Sequence, residues 1–274
     1  MTTTNIDDIQ KFIASTPLSI PDLSGLGLDS AASDAAAAVT TADAAGTAQS
    51  SGSGSSKSTS ASVDAGSVVS FVAGVQDQNR QDVLDSTLFA QFAANAQYNR
   101  QTQAQQWYTV YLNTLGALAW TVQSFDFQQY QVSSSSFKLD DVVLDIMKAA
   151  FTQDEYDVVK SSIDALKKLK DDDGRIKLFG HNAVSSKAGN FQIGAVTESN
   201  GAIAMHTLGA YFSSKDSNTD FLFVHYKGSD TKIFKGVQAM TLNQTLYGNY
   251  RGMVQQRLGS SSKNFILDVP LSAG

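Results

Sequence analysis

The spacing of apolar positions divides the chain into three stretches. At the start, Ile6, Ile9, Phe12 and Ile13 recur at helical intervals and predict a short docking helix, ended by Pro17 and Pro21. From Gly66 to Asp173 the helical period returns. Val68, Val69, Val72 and Val75, continued by Val83, Leu84, Leu88 and Phe92, predict a helix that closes near Arg100. A second helix is expected over about 102–123. A third, 139–150, places Leu139, Val142, Val143, Ile146 and Met147 on one face. The fourth is the best signalled: Thr152-Gln-Asp-Glu155 is a capping box, Val159, Ile163 and Leu166 form its stripe, Lys167, Lys168 and Lys170 suit its last turn, and Gly174 stops it.

After Arg175 the grammar changes to strands. NFQIGAVT (190–197) and AIAMHTLGAYF (202–212) flank Asn200-Gly201, a strong hairpin cue because both residues tolerate positive φ. DFLFVHYK (220–227) and TKIFKGVQAM (231–240) read as a second hairpin, with a last helix over about 243–258 and a short strand at 264–269. The expected fold is α+β. It comprises an N-terminal arm (1–28), an Ala/Ser/Gly-rich flexible linker (29–66), a helical module (67–173), and a small antiparallel sheet of two hairpins with a C-terminal helix (174–274). The last two are able to share one core, since four strands alone bury little.

Composition sharpens this picture. Residues 29–66 are nearly all Ala, Ser, Thr, Gly and Asp, which bury too little apolar surface to offset their ordering entropy. Residues 1–130 hold 4 basic against 11 acidic residues, and the whole chain has a net charge of −6. Phosphate backbones are held by several cations, so a nucleic-acid partner is not expected. There is no cysteine, which removes disulfides, thiol nucleophiles and thiolate metal sites. The start, MTTTNIDDIQKF, lacks the basic and apolar runs of a secretory signal, and no apolar run reaches membrane-spanning length. A cytoplasmic chain, or one exported by a non-classical route, is expected.

Motifs for chemistry are sparse. GSGSSKS lacks the Gly before Lys57 and the preceding strand of a phosphate loop, and GLGLDS (25–30) fails as a dinucleotide fingerprint. Asp171-Asp-Asp-Gly lacks alternating ligand spacing, so a helix-ending turn explains it better than calcium. No G-x-S-x-G elbow occurs. Asn243-Gln-Thr245 matches a glycosylation sequon but sits where an N-cap belongs. His206 and His225 lie in strands, and with Asp216 or Asp220 they are candidates for a polar site; His181 falls in a loop. No metal or cofactor is expected.

The stretch QQWYTVYLNTLGALAWTVQSF (105–125) is the most distinctive. Gln101 to Phe125 is 25 residues without a charge. On a helical wheel Trp107, Tyr108, Tyr111, Leu115, Leu118 and Val122 share an apolar wedge, with Trp120 opposite. A buried bundle helix fits this pattern. So does a concealed membrane-active helix, because membrane insertion is costly mainly for charged groups. Three functions are therefore open. One is a non-enzymatic exported effector or toxin-like protein whose helix engages membranes, with lipid, a protein or further copies as partners. Another is a soluble interaction or assembly protein docking through its N-terminal segment. The third is an enzyme using His206 and His225.

Overall fold

Nine strands, drawn from both sides of residue 173, make one twisted sheet in the computed structural model. The structure describes residues 6–28, 58–123, 126–215 and 222–271. In chain order the elements are α1 (Ile6–Ser15), β1 (Ser60–Asp64), β2 (Ser67–Phe71), α2 (Asp77–Asn95), α3 (Ala104–Ala117), β3 (Trp120–Val122), β4 (Gln128–Tyr130), β5 (Ser136–Lys138), α4 (Leu139–Ala150), α5 (Gln153–Lys167), α6 (Gly174–Ala183), β6 (Val184–Ser185), β7 (Ala188–Ser199), β8 (Ala202–Ser214), β9 (His225–Lys227), β10 (Thr231–Leu242), α7 (Gln244–Gly248), α8 (Arg251–Leu258) and β11 (Ile266–Val269).

The main sheet runs β11-β1-β2-β7-β8-β10-β3, with β4 on the far half of β10 and β6 beside the start of β7. All pairings are antiparallel except β2 with β7. Helices cover both faces. Ser70 of β2 meets Ser162 of α5, and Phe191 of β7 meets Phe179 of α6, on one side. On the other side Thr87 and Gln91 of α2 bond Asp64 of β1, and Tyr108 of α3 lies over Gly209 of β8. A single apolar cluster runs from Ile9 to Val269.

The α+β class holds, but the sheet is larger than a pair of hairpins. Val68 and Val69, expected in a helix, lie in β2, where all five residues are buried. A strand covered on both faces reads as a continuous apolar run, which periodicity alone does not separate from a buried helix. The linker expected over 29–66 lies, up to residue 57, outside the described residues, as does its GSGSSKS pattern; its end, Ser60–Asp64, is a buried strand. The Asn200-Gly201 hairpin forms as expected, with φ of 51° and 77°. The second hairpin does not. Strand β10 pairs with β8 instead, and β9 pairs with β5 in a separate two-stranded sheet. The last helix is split into α7 and α8. The capping box of α5 is present, with both the N-cap N–H and hydroxyl of Thr152 donating to Glu155 Oε2.

Candidate functional site

The helix expected over 102–123 ends sooner. Helix α3 stops at Ala117, Ala119 turns the chain with φ 66°, and Trp120 and Val122 belong to β3. Trp120 therefore has no place on the back of the helix. Its side chain is buried against α2, where its Nε1 donates to Ser86 Oγ at 3.0 Å. Of the expected wedge, Trp107, Tyr108, Tyr111 and Leu115 lie on α3 and Leu118 caps its end, all at most 1% exposed, while Val122 stands half-buried in β3. Trp107 Nε1 donates to Asn95 Oδ1 at 2.7 Å, and its ring stacks on Tyr111 with centroids 5.3 Å apart. The outer face of α3, with Gln105, Gln106, Thr109 and Asn113, meets solvent.

Beneath α3 lies a charged group that the apolar pattern did not single out. Arg100 is fully enclosed, its guanidinium 4.3 Å from the Trp107 ring centroid. Its nitrogens donate to the carbonyls of Asn190 and Gly66 and to the side-chain oxygens of Gln91 and Gln192. Burial lowers its pKa to about 10. Asp64 neighbours this network. Burial pushes its carboxyl up to about 8, against hydrogen bonds from Thr87 and Gln91. Its Oδ1 has no hydrogen-bond partner among the described residues.

The network grips one face of the β7–β8 hairpin. Register and contacts sort that hairpin into two faces. Phe191, Ile193 and Ala195 of β7, with Ala204, Leu208, Ala210 and Phe212 of β8, point toward α5 and α6, as Phe179 against Phe191 shows. Asn190, Gln192, Thr207 and Tyr211, with the buried Val196, Ile203 and Met205 nearer the tip, point toward α2 and α3. The two strands have 12 and 13 residues, and Glu198 is the sole Asp, Glu, Lys or Arg in 188–214. Glu198 fastens the hairpin tip to the start of α2: its Oε2 accepts from the Gln76 N–H at 2.9 Å and Asn79 Nδ2 at 2.8 Å. A carboxylate there suits the positive end of the helix.

His206 and His225 stand in different sheets. The Nδ1 of His206 lies 2.7 Å from Glu155 Oε1, at the middle of the hairpin's apolar face. Burial raises the Glu155 carboxyl, but His206 and Thr152 outweigh it and hold the group below its ordinary value. His225 is exposed, 3.4 Å from Ser136 Oγ. Asp216 and Asp220 lie outside the described residues. Among the described residues no cluster of His, Asp and Glu could hold a metal ion, and no helix is long and apolar enough to cross a membrane.

The N-terminal candidates divide. Ile9 and Ile13 are buried, Phe12 is half-buried and Ile6 is 38% exposed. Helix α1 lies against α8, and Arg257 donates to the Thr16 carbonyl. The Ser19 N–H bonds the Phe92 carbonyl at 3.0 Å. Arg100, Asp64 and Glu198 were missed because each stands alone in sequence. One cue was available: Asn190 and Gln192 alternate with Phe191, Ile193 and Ala195, marking a strand whose first half has one polar face.

No family model and no curated protein matches this chain. Three solved structures resemble it weakly. A delta-endotoxin has 12% identity and a TM-score of 0.35, over 73% of this chain and 89% of its own. Activated Cyt2Ba monomer from Bacillus thuringiensis subsp. israelensis has 12% identity and a TM-score of 0.37, over 63% and 94%. The Evf virulence factor has 8% identity and a TM-score of 0.33, over 68% and 76%. At TM-scores of 0.33 to 0.37, these likenesses assign this chain neither a family nor a function.

Proposed function

We propose that the protein is a non-enzymatic effector that engages membranes by rearranging its layers. The observation that carries this reading is the β7–β8 hairpin. Its strands exceed the roughly 9–11 residues needed to cross a bilayer as tilted strands. The face toward α5 and α6 is apolar along its length except at Thr197 and His206, which suits lipid, and the face toward α2 and α3 carries Asn190, Gln192 and Thr207 beside Val196, Ile203 and Met205. Its one carboxylate sits at the tip, where it need not enter the hydrocarbon. An isolated hairpin would leave unpaired backbone groups in lipid, so the membrane form requires several copies closing a sheet. Helix α3 has no charge on either face, and once lifted from the sheet its wedge suits the bilayer interface. Arg100 and Glu198 are the clamps that oppose this parting, one on the strands and one at the tip.

Release of a trapped dye from liposomes tests the reading. The wild-type chain should release dye. Glu198→Ala, which frees the tip from α2, should release it faster at equal protein concentration. An absence of both vesicle binding and release across neutral and anionic lipids and across pH would refute the reading. An unchanged rate for Glu198→Ala would remove the hairpin tip from the mechanism.

A further inference from the structure

The solvent side of α3 forms one wall of a cleft of about 660 Å³, within the size range of small-molecule sites. Two ridges of α3 line it. Gln105, Thr109 and Asn113 form a polar ridge at four-residue intervals, and Tyr108, Leu112 and Gly116 form a smoother one beside it. Each interval advances about 6 Å along the helix. The opposite wall comprises Val122, Gln123, Asp126 and Phe127. At Gly116 a methyl group would meet nothing within 4 Å, so this end is open.

The lining selects its ligand by chemistry. It contains no Lys, Arg or His, so nothing there neutralises a phosphate, sulfate or carboxylate. Three amides supply both donors and acceptors, and the Thr109 hydroxyl and Asp126 add acceptors. Among the described residues the side chains of Asn113, Gln123 and Asp126 have no partner, so they are free to bond a ligand. Thr109 Oγ1 donates to the Gln105 carbonyl at 3.0 Å, which leaves its lone pairs to accept. The aromatic wall is rigid. Phe127 packs edge-on against Tyr108 and Tyr211, with centroids 5.1 and 4.8 Å apart. Gln105 Nε2 bonds Tyr211 OH at 3.1 Å, fixing the start of the ridge.

We propose that this cleft binds a neutral oligosaccharide. Hydroxyl groups that both give and accept hydrogen bonds match the amides, the Thr109 hydroxyl and Asp126. The C–H faces of a sugar ring match Phe127 and Leu112. The repeat of the polar ridge suits successive sugar units laid along α3. Such a glycan can be free, borne by a protein or carried by a lipid.

Saturation-transfer NMR on the full chain, with a panel of neutral di- to tetrasaccharides, tests the site. At least one member should bind. Asn113→Ala and Asp126→Ala, each removing an exposed group, should weaken binding about tenfold, the worth of one good hydrogen bond. Both should keep the wild-type melting temperature, and Thr121→Ala, outside the cleft, should bind as wild type. Binding by none of the panel, equal binding by both cleft variants, or displacement of the sugar by phosphocholine would each overturn the proposal. Vesicles bearing the same glycan on a lipid, compared with plain vesicles, identify the source: recruitment assigns a glycolipid, and its absence a free or protein-borne glycan, either outcome upholding the site. Sugar binding is read without vesicles, and dye release with vesicles that carry no glycan. The site and the membrane reading can therefore fail separately.

Discussion

Asp64 binds a proton in the folded chain over a range where the unfolded chain has lost it. Burial raises its carboxyl from 3.8 to about 8. A raised value means its contribution to stability is complete below about pH 4 and is lost as pH climbs toward 8. Asp64→Asn, always neutral, should remove that dependence. Melting curves at pH 5 and pH 8 should show a smaller decline for the variant than for wild type; parallel declines would mean Asp64 is charged throughout. Gly209 supports a second expectation. A Cβ there would lie 2.4 Å from the Tyr108 hydroxyl, so the buried ring would have to shift. Gly209→Ala should cost about 1–3 kcal/mol in urea denaturation, as overpacking does. Residues like these explain why the sequence was only partly readable. Ala119 adopts a left-handed conformation without the glycine that usually marks a helix end, so Trp120 read as helical. Val68 and Val69 are covered on both sides, which erased the alternation of a strand.

Elements with local signals were legible. Helix α5 carries its own start in Thr152 and Glu155, and β7–β8 carries its turn in Asn200-Gly201. Helix α4 begins and ends at residues 139 and 150, as its apolar face predicts. Elements defined by distant partners were not legible. Strand β9 finds β5 rather than its neighbour β10, and α3 ends where β3 turns away to join β10. The wedge of α3 could be read, but not what covers it. Its burial makes a spectroscopic prediction. Trp107 and Trp120 are 0% and 3% exposed, so the single-tryptophan variants Trp107→Phe and Trp120→Phe should both emit in the blue and resist acrylamide. If α3 lifts on vesicles, quenchers placed in the lipid should reach Trp107 while Trp120 stays bonded to Ser86 of α2. Equal quenching of both would show that the layer moves as one body.

Over the whole molecule, the sheet interleaves strands from early and late in the sequence. Strands β1 and β2 sit between β11 and β7. The boundary expected at residue 173 therefore falls where two halves share one sheet. Expressed apart, 58–173 and 174–271 should each lack cooperative melting, and mixing them should restore it. A sharp transition from either half alone would contradict that. The same interleaving makes Arg100 a tie between halves, since it bonds Gln91 and Gly66 on one side and Asn190 and Gln192 on the other.

The place of β1 has a consequence during synthesis. Ser62 and its neighbour Asp268 are 206 residues apart, and Ser67 and Gln192 are 125 apart. At about 5–20 residues per second, the ribosome needs roughly 10–40 s to supply the final partner of β1. The Ser-Val-Val-Ser-Phe strand waits about 6–25 s for β7, and its companion β1 waits the full interval for β11. Their outer edges are open to strands of neighbouring nascent chains. Neighbouring nascent chains on one polysome are therefore placed to pair through these edges. Slowing initiation should raise the protein's soluble yield more than lowering temperature after synthesis.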